Sequence, residues 1–148
     1  MLNRQEFDPP YSVIANIEPL KTTQDAGSLH GIVGGYYSSG GRKRFYALMM
    51  EGMGDGSLVL KYYDGSKFVT DQPELRIPIL PPGKTLEVKH RLRLEFVEGA
   101  VRAYLDKNVV AVLERDLDEP LGPTQAGFIA SSGETTFYSL KVTRRQHK

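Results

Sequence analysis

The chain has 148 residues, of which 40% are hydrophobic and 25% charged, with fifteen glycines, nine prolines and a formal net charge of +1. That length and balance suit one folded domain, 1–148, with a two-layer core, many turns and few long helices, and the near-neutral charge leaves no electrostatic footprint for nucleic acid. There is no cysteine, so disulfide scaffolds, thiolate zinc sites and cysteine nucleophiles are excluded.

Residues 1–10 form a polar lead-in ending in Asp8-Pro9-Pro10, a run incompatible with helix, and Met1 opens no signal peptide. Tyr11 to Ile17 alternates as a strand, with Val13, Ala15 and Ile17 on one side, and Pro19 ends it. Lys21 to Ala26 is a polar loop. Gly27 to Tyr37 reads as a strand thinned by glycine, which points to close backbone or ligand approach, or to a bulge. Ser38 to Arg44 is expected as a flexible basic loop. Phe45 to Glu51 and Ser57 to Tyr63 are strands, and Asp64-Gly65 starts a hairpin into Lys67 to Thr70. Leu75 to Leu80, set among Pro73, Pro78, Pro81 and Pro82, belongs at a sheet edge or in a loop.

The clearest alternation runs from Thr85 to Val112. Leu86, Val88, His90, Leu92, Leu94 and Phe96 take one side, and Glu87, Lys89, Arg91, Arg93 and Glu95 the other, so one face is buried and one wet. Glu98-Gly99 closes a two-residue turn. That turn sets Phe96 opposite Val101, Leu94 opposite Ala103 and Leu92 opposite Leu105. On the wet side Glu95 meets Arg102, Arg93 meets Tyr104 in a cation–π pair, and Arg91 meets Asp106. Asp106-Lys107-Asn108 turns the chain again, and Val110 and Val112 continue the apolar side. Ala126 to Ser131 and Thr136 to Thr143 are the last strands, and Arg144 to Lys148 is a basic solvated tail. About ten short strands without βαβ alternation predict an all-β, antiparallel two-sheet β-sandwich. No apolar run approaches the ~18 residues of a membrane helix, so no membrane insertion is expected.

In this order the chain resembles the concanavalin A-like (laminin-G-like) jelly rolls found as carbohydrate-binding modules and glucanase-like domains. The matching pieces are Tyr11 to Ile17, Ala26 to Gly35, Phe45-Tyr46-Ala47-Leu48, Leu58 to Gly65, His90 to Leu94, Val101 to Asp106, and Gly127-Phe128 leading to Phe137-Tyr138. Two features depart from the pattern: there is no tryptophan, and the E-x-D-x-E arrangement of the related glucanases is absent. The resemblance implies a jelly-roll sandwich, carbohydrate as partner, and an extracellular or periplasmic setting. It implies no hydrolysis. It also allows a structural calcium, for which Asp55 in Gly54-Asp55-Gly56 is an isolated fragment of a ligand loop.

Tyrosines occur in pairs, Tyr36-Tyr37 and Tyr62-Tyr63, with Tyr46 in a neighbouring strand. Adjacent strand residues face opposite ways, so each pair should offer one ring to the core and one to the surface. An exposed tyrosine stacks on the C–H face of a sugar while its hydroxyl donates; equally, such rings fill a sandwich and its rim. Arg42, Lys43 and Arg44 suit a charged sugar or, more blandly, a solubilising hairpin tip. His30 lies near the expected binding strands, whereas His90 reads as a hydrogen-bonded core histidine, and no H-x-x-x-H spacing supports zinc. The expected ligand-binding set is therefore Tyr36, Tyr37, Arg42, Arg44, Tyr46, Tyr63 and His30, with no catalytic residue and no cofactor assigned. Glu114 and Asp116 share a face if their strand continues, roughly 7 Å apart, within the range of a glycosidase pair. The chemistry points first to a non-catalytic carbohydrate-binding module of a larger protein. A glycoside hydrolase-like enzyme of the same fold and a protein-interaction sandwich stay open.

Overall fold

The computed structural model describes residues 2, 5–19, 29–51, 57–71, 73–79, 90–131 and 135–144. The expected loops at 21–26 and 52–56, Asp55, residues 85–89 of the long alternating stretch and the tail from residue 145 lie outside them. The strands are β1 (Tyr11–Pro19), β2 (Leu29–Ser39), β3 (Arg42–Glu51), β4 (Ser57–Tyr63), β5 (Arg76–Pro78), β6 (His90–Val97), β7 (Ala100–Leu105), β8 (Leu113–Asp116), β9 (Gln125–Ser131) and β10 (Thr135–Arg144). They pair antiparallel into two five-stranded sheets, ordered β10-β1-β6-β7-β8 (sheet I) and β5-β4-β3-β2-β9 (sheet II). The all-β two-sheet sandwich is therefore observed.

Alternation decides what each sheet buries. Val13, Ala15 and Ile17 of β1, and Leu92, Leu94 and Phe96 of β6, meet Ile32, Leu48, Leu58 and Leu60 from sheet II in the main core. The central hairpin has the register its sequence dictates, with Phe96 opposite Val101, Arg93 opposite Tyr104 and Glu95 opposite Arg102. Arg93 stands 3.8 Å from the Tyr104 ring centre, so the cation–π pair forms. Asp106 differs in detail: it accepts from the Arg91 backbone N–H at 3.0 Å rather than from its guanidinium.

Three expectations are corrected. Ser38 to Arg44 is no loose loop: Ser39 pairs with Arg42 across Gly40-Gly41, whose positive φ angles of 59° and 80° fit a two-residue hairpin turn. Lys67 to Thr70 makes only the single Tyr63–Phe68 bridge, and Val110 lies 73% exposed beyond the apolar seam. Within the expected Leu75 to Leu80 segment, Arg76–Pro78 form the three-residue edge strand β5, and Leu80 lies outside the described residues.

Sheet II also buries part of its outer face. Val33, Ala47, Met49 and Val59 are at most 4% exposed there, and Leu2, Phe45, Phe68 and Ile129 pack against them. Leu2 reaches this cluster by bridging to Gly127 on β9.

Candidate functional site

The register of β2, β3 and β4 sorts the seven predicted ligand-binding residues into three groups. Tyr36 and Tyr63 lie on the outer face of sheet II, with Phe45 of β3 between them. Phe45 is directly opposite Tyr63, their ring centres 5.0 Å apart and nearly parallel at 11°. Tyr36 stacks on Phe45 at 6.1 Å. Phe68 then stands edge-on to both Phe45 and Tyr63, at 5.9 and 5.3 Å. All four rings are partly exposed.

Phe68 is placed by local hydrogen bonding. The Asp64 carboxylate accepts from the backbone N–H groups of Ser66 and Lys67 at 2.9 and 3.1 Å, which folds the chain back so that Phe68 pairs with Tyr63. The same bonds hold the Asp64 carboxyl below the usual range.

Ring geometry limits what this row offers a ligand. At 5.0 Å, nearly parallel rings must be offset-stacked, so Phe45 and Tyr63 cover one face of each other. Among the described residues Phe45 is the one ring against Tyr36. Tyr36 keeps partial exposure and is opposite Gln125 of β9 on the side away from β3.

Tyr37, Arg42 and Arg44 lie on the other side of the same strands. Arg44 donates to the Tyr37 hydroxyl at 3.1 Å and pairs with Glu119. Beside them Arg115 pairs with Asp71 at 3.3 Å and Asp118 at 3.1 Å, and reaches over the Tyr62 ring at 5.1 Å. This end of the sandwich is an internally neutralised cap. Arg42 is exposed, and its side chain lies along Gly65 of the next turn.

Tyr46 and His30 are interior residues, which corrects their assignment to a ligand surface. Tyr46 is 1% exposed and His30 fully buried, because both alternate inward on strands at the centre of sheet II. Tyr46 stacks on Tyr62 at 4.6 Å, and its hydroxyl accepts from the Asp118 backbone N–H at 3.3 Å. Burial, reinforced by the Asp118 carboxylate, pushes its phenol up to about 12 from an ordinary 10.0. A raised folded-state pKa favours the folded protein fully below the unfolded value and loses that contribution as pH rises through the folded one. We predict that the wild type loses roughly 2–3 kcal/mol from this group between pH of about 10 and about 12. Tyr46→Phe should abolish that share of the alkaline loss while changing stability little at neutral pH. Urea unfolding at the two pH values, with tyrosinate absorbance as the titration signal, measures it; equal alkaline losses in both proteins would refute it.

His90 is a core histidine, as expected. Its Nδ1 hydrogen-bonds Asp106 at 3.1 Å, and since an ionised carboxylate only accepts, the proton sits on that nitrogen. Glu114 and Asp116 do share the exposed face of β8, but Glu114 pairs with Arg102 at 3.3 Å. Among the described residues no group of three or more His, Asp or Glu side chains could hold a metal ion. No helix among them is long and apolar enough to cross a membrane.

No protein-family model matches the sequence, and no curated protein matches it. Solved structures do match in shape. A functionally unknown protein from Saccharomyces cerevisiae superposes with a TM-score of 0.66 at 14% identity, over 96% of this chain and 73% of that one. A native glycosidic hydrolase gives 0.62 at 12% identity, over 86% of this chain and 53% of the other. CG-16, a homodimeric agglutinin from chicken liver, gives 0.59 at 10% identity, over 97% and 98%. The fold is the concanavalin A-like jelly roll. At these identities the likeness is one of fold, and this chain spans about half of the hydrolase's length. Sheet II here carries a packed outer patch, with Phe45 and Phe68 of the partly exposed ring row set against it.

Proposed function

We propose that the chain is a non-catalytic carbohydrate-binding sandwich in which a sugar stacks on the partly exposed ring of Tyr36. The observation that carries this reading is the row Tyr36, Phe45 and Tyr63, drawn from three adjacent strands. Most of the same sheet face is sealed by the Val33, Ala47, Met49 and Val59 cluster, yet these rings keep partial exposure. An amphipathic ring held stiffly by neighbours loses little conformational entropy on binding, which favours a shallow site. Kinship of fold with an agglutinin and a glycosidic hydrolase supports a sugar as the ligand class. Binding should be weak, because an open face desolvates few groups.

The test is a glycan array on the purified chain with and without calcium, followed by titration of any hit. Tyr36→Ala is expected to weaken binding about tenfold or more while leaving the far-UV spectrum and melting temperature close to wild type. Tyr37→Ala, on the opposite side of the strand, should leave binding unchanged. Loss in the Tyr37 variant with retention in the Tyr36 variant would move the site to the Arg44 rim. Silence on neutral and acidic glycans alike would end the carbohydrate reading.

A further inference from the structure

Four arginines among the described residues are matched by acids. Arg44 pairs with Glu119, Arg76 with Glu51 and Glu74, Arg102 with Glu95 and Glu114, and Arg115 with Asp71 and Asp118. Arg91 and Arg93 are different. They project two residues apart from β6 on the outer face of sheet I, and neither guanidinium has a carboxylate partner among the described residues. Arg93 is held over the Tyr104 ring at 3.8 Å, and the Tyr104 hydroxyl is itself anchored by donating to Glu95 at 3.1 Å. The Arg93 Nε is shielded from solvent without a hydrogen-bond partner.

These two arginines and Lys107 line a shallow, open cavity of about 180 Å3, bordered by Tyr104 and the Asn108-Val109 turn. Asp106 is the one acid in its lining, and its oxygens already accept from His90 Nδ1 and from the Arg91 backbone N–H. Three cations therefore face the space against one engaged carboxylate. The volume is well below the roughly 300–1,000 Å3 of sites for drug-sized ligands, and suits a single small group.

We propose that this cavity binds a tetrahedral oxyanion, a sulfate or phosphate group, through the forks of Arg91 and Arg93 and the ammonium of Lys107. Guanidinium donors match oxyanion geometry, and stacking on Tyr104 holds one fork in place before the ligand arrives. The site lies on the opposite sheet from Tyr36, so it stands or falls independently of the glycan reading. The oxyanion comes either as a free ion or as an ester on a sugar.

Calorimetry and thermal melts with sodium sulfate and sodium phosphate, against sodium chloride at equal ionic strength, test the site. A sulfated galactose and galactose itself separate the two sources. Sulfate or phosphate should stabilise the wild type beyond chloride, and affinity should fall about tenfold for each cation removed in Arg91→Gln, Arg93→Gln and Lys107→Gln. Arg102→Gln, on the same face but outside the cavity, should bind as the wild type does. Lys107 lies in an exposed turn, so its variant reports on binding even if Arg93→Gln disturbs Tyr104. A sulfated sugar binding much more tightly than the free ions would make the ester the source, and comparable affinities would favour the ion. Equal stabilisation of the wild type and the Arg91→Gln/Arg93→Gln protein would mean general salting, and would overturn the proposal. So would the absence of binding to every probe.

Discussion

Gly31→Ala is expected to destabilise the sandwich by roughly 3 kcal/mol or more, among the largest effects of any single methyl group here. A Cβ at Gly31 would lie 2.0 Å from the Leu48 carbonyl oxygen and 2.7 Å from the Met49 Cα. Both are backbone atoms of the paired strand β3, so no side-chain rotation relieves the clash. The strands must part at the centre of sheet II, where Gly31 is opposite Met49 on one side and Ile129 on the other. For a chain of this size the melting temperature should fall by about 10 °C. At Gly34 the obstacle is a side chain instead: its Cβ would meet the Phe96 ring at 2.4 Å, a fully buried ring held between Tyr11 and Tyr46. A Gly31→Ala protein melting within a degree or two of wild type would show that β2 and β3 have slack the structure does not display.

Phe96→Ala should cost roughly 3–5 kcal/mol, a large share of the 5–15 kcal/mol typical of a whole domain. Phe96 is fully buried, stacks on Tyr11 at 4.9 Å and meets Tyr46 edge-on at 5.9 Å. Its ring also fills the space over Gly34 and Gly35, so truncation opens a cavity between the two sheets that rigid strands cannot collapse. Tyr11 would lose its stacking partner while its hydroxyl still serves Gly35 N–H and Thr124. Urea unfolding measures the loss as a shift in midpoint at constant slope. A cost below about 1 kcal/mol would mean the site repacks, contrary to the close contacts seen around the ring.

Both residues show how far local sequence reaches. The glycine-thinned strand signalled close backbone approach or a bulge, and both occur: Gly31 is pressed against β3, and the register slips between Gly34 and Tyr37. The bulge also explains why Tyr36 joins Phe45 on the outer face while Tyr37 is opposite Arg44. Phe45 and Phe68 were absent from the predicted site for different reasons. Phe45 could have been found by pairing the third and fourth strands and noting that it falls opposite Tyr63. Phe68 depends on the Asp64 turn, whose Asp-Gly-Ser signal indicates only the start of a hairpin.

The sequence by itself determined the sandwich class, the buried and wet faces of β1 and β6, and the register of the β6–β7 hairpin. These are short-range properties, set by a period of two and by a two-residue turn, so residues close in the chain suffice to read them. Only the tertiary structure decided which polar and aromatic groups remain available. Arg44 looked free for a sugar until Glu119, 75 residues away, came to it across the end of the sandwich. The outer face of sheet II looked open until Leu2 and Phe68 packed on its centre. Arg91 and Arg93, alternating on a strand that promised only a wet face, emerged without carboxylate partners among the described residues. Availability is what remains after long-range contacts have formed, and strand periodicity carries no information about partners brought from elsewhere in the fold.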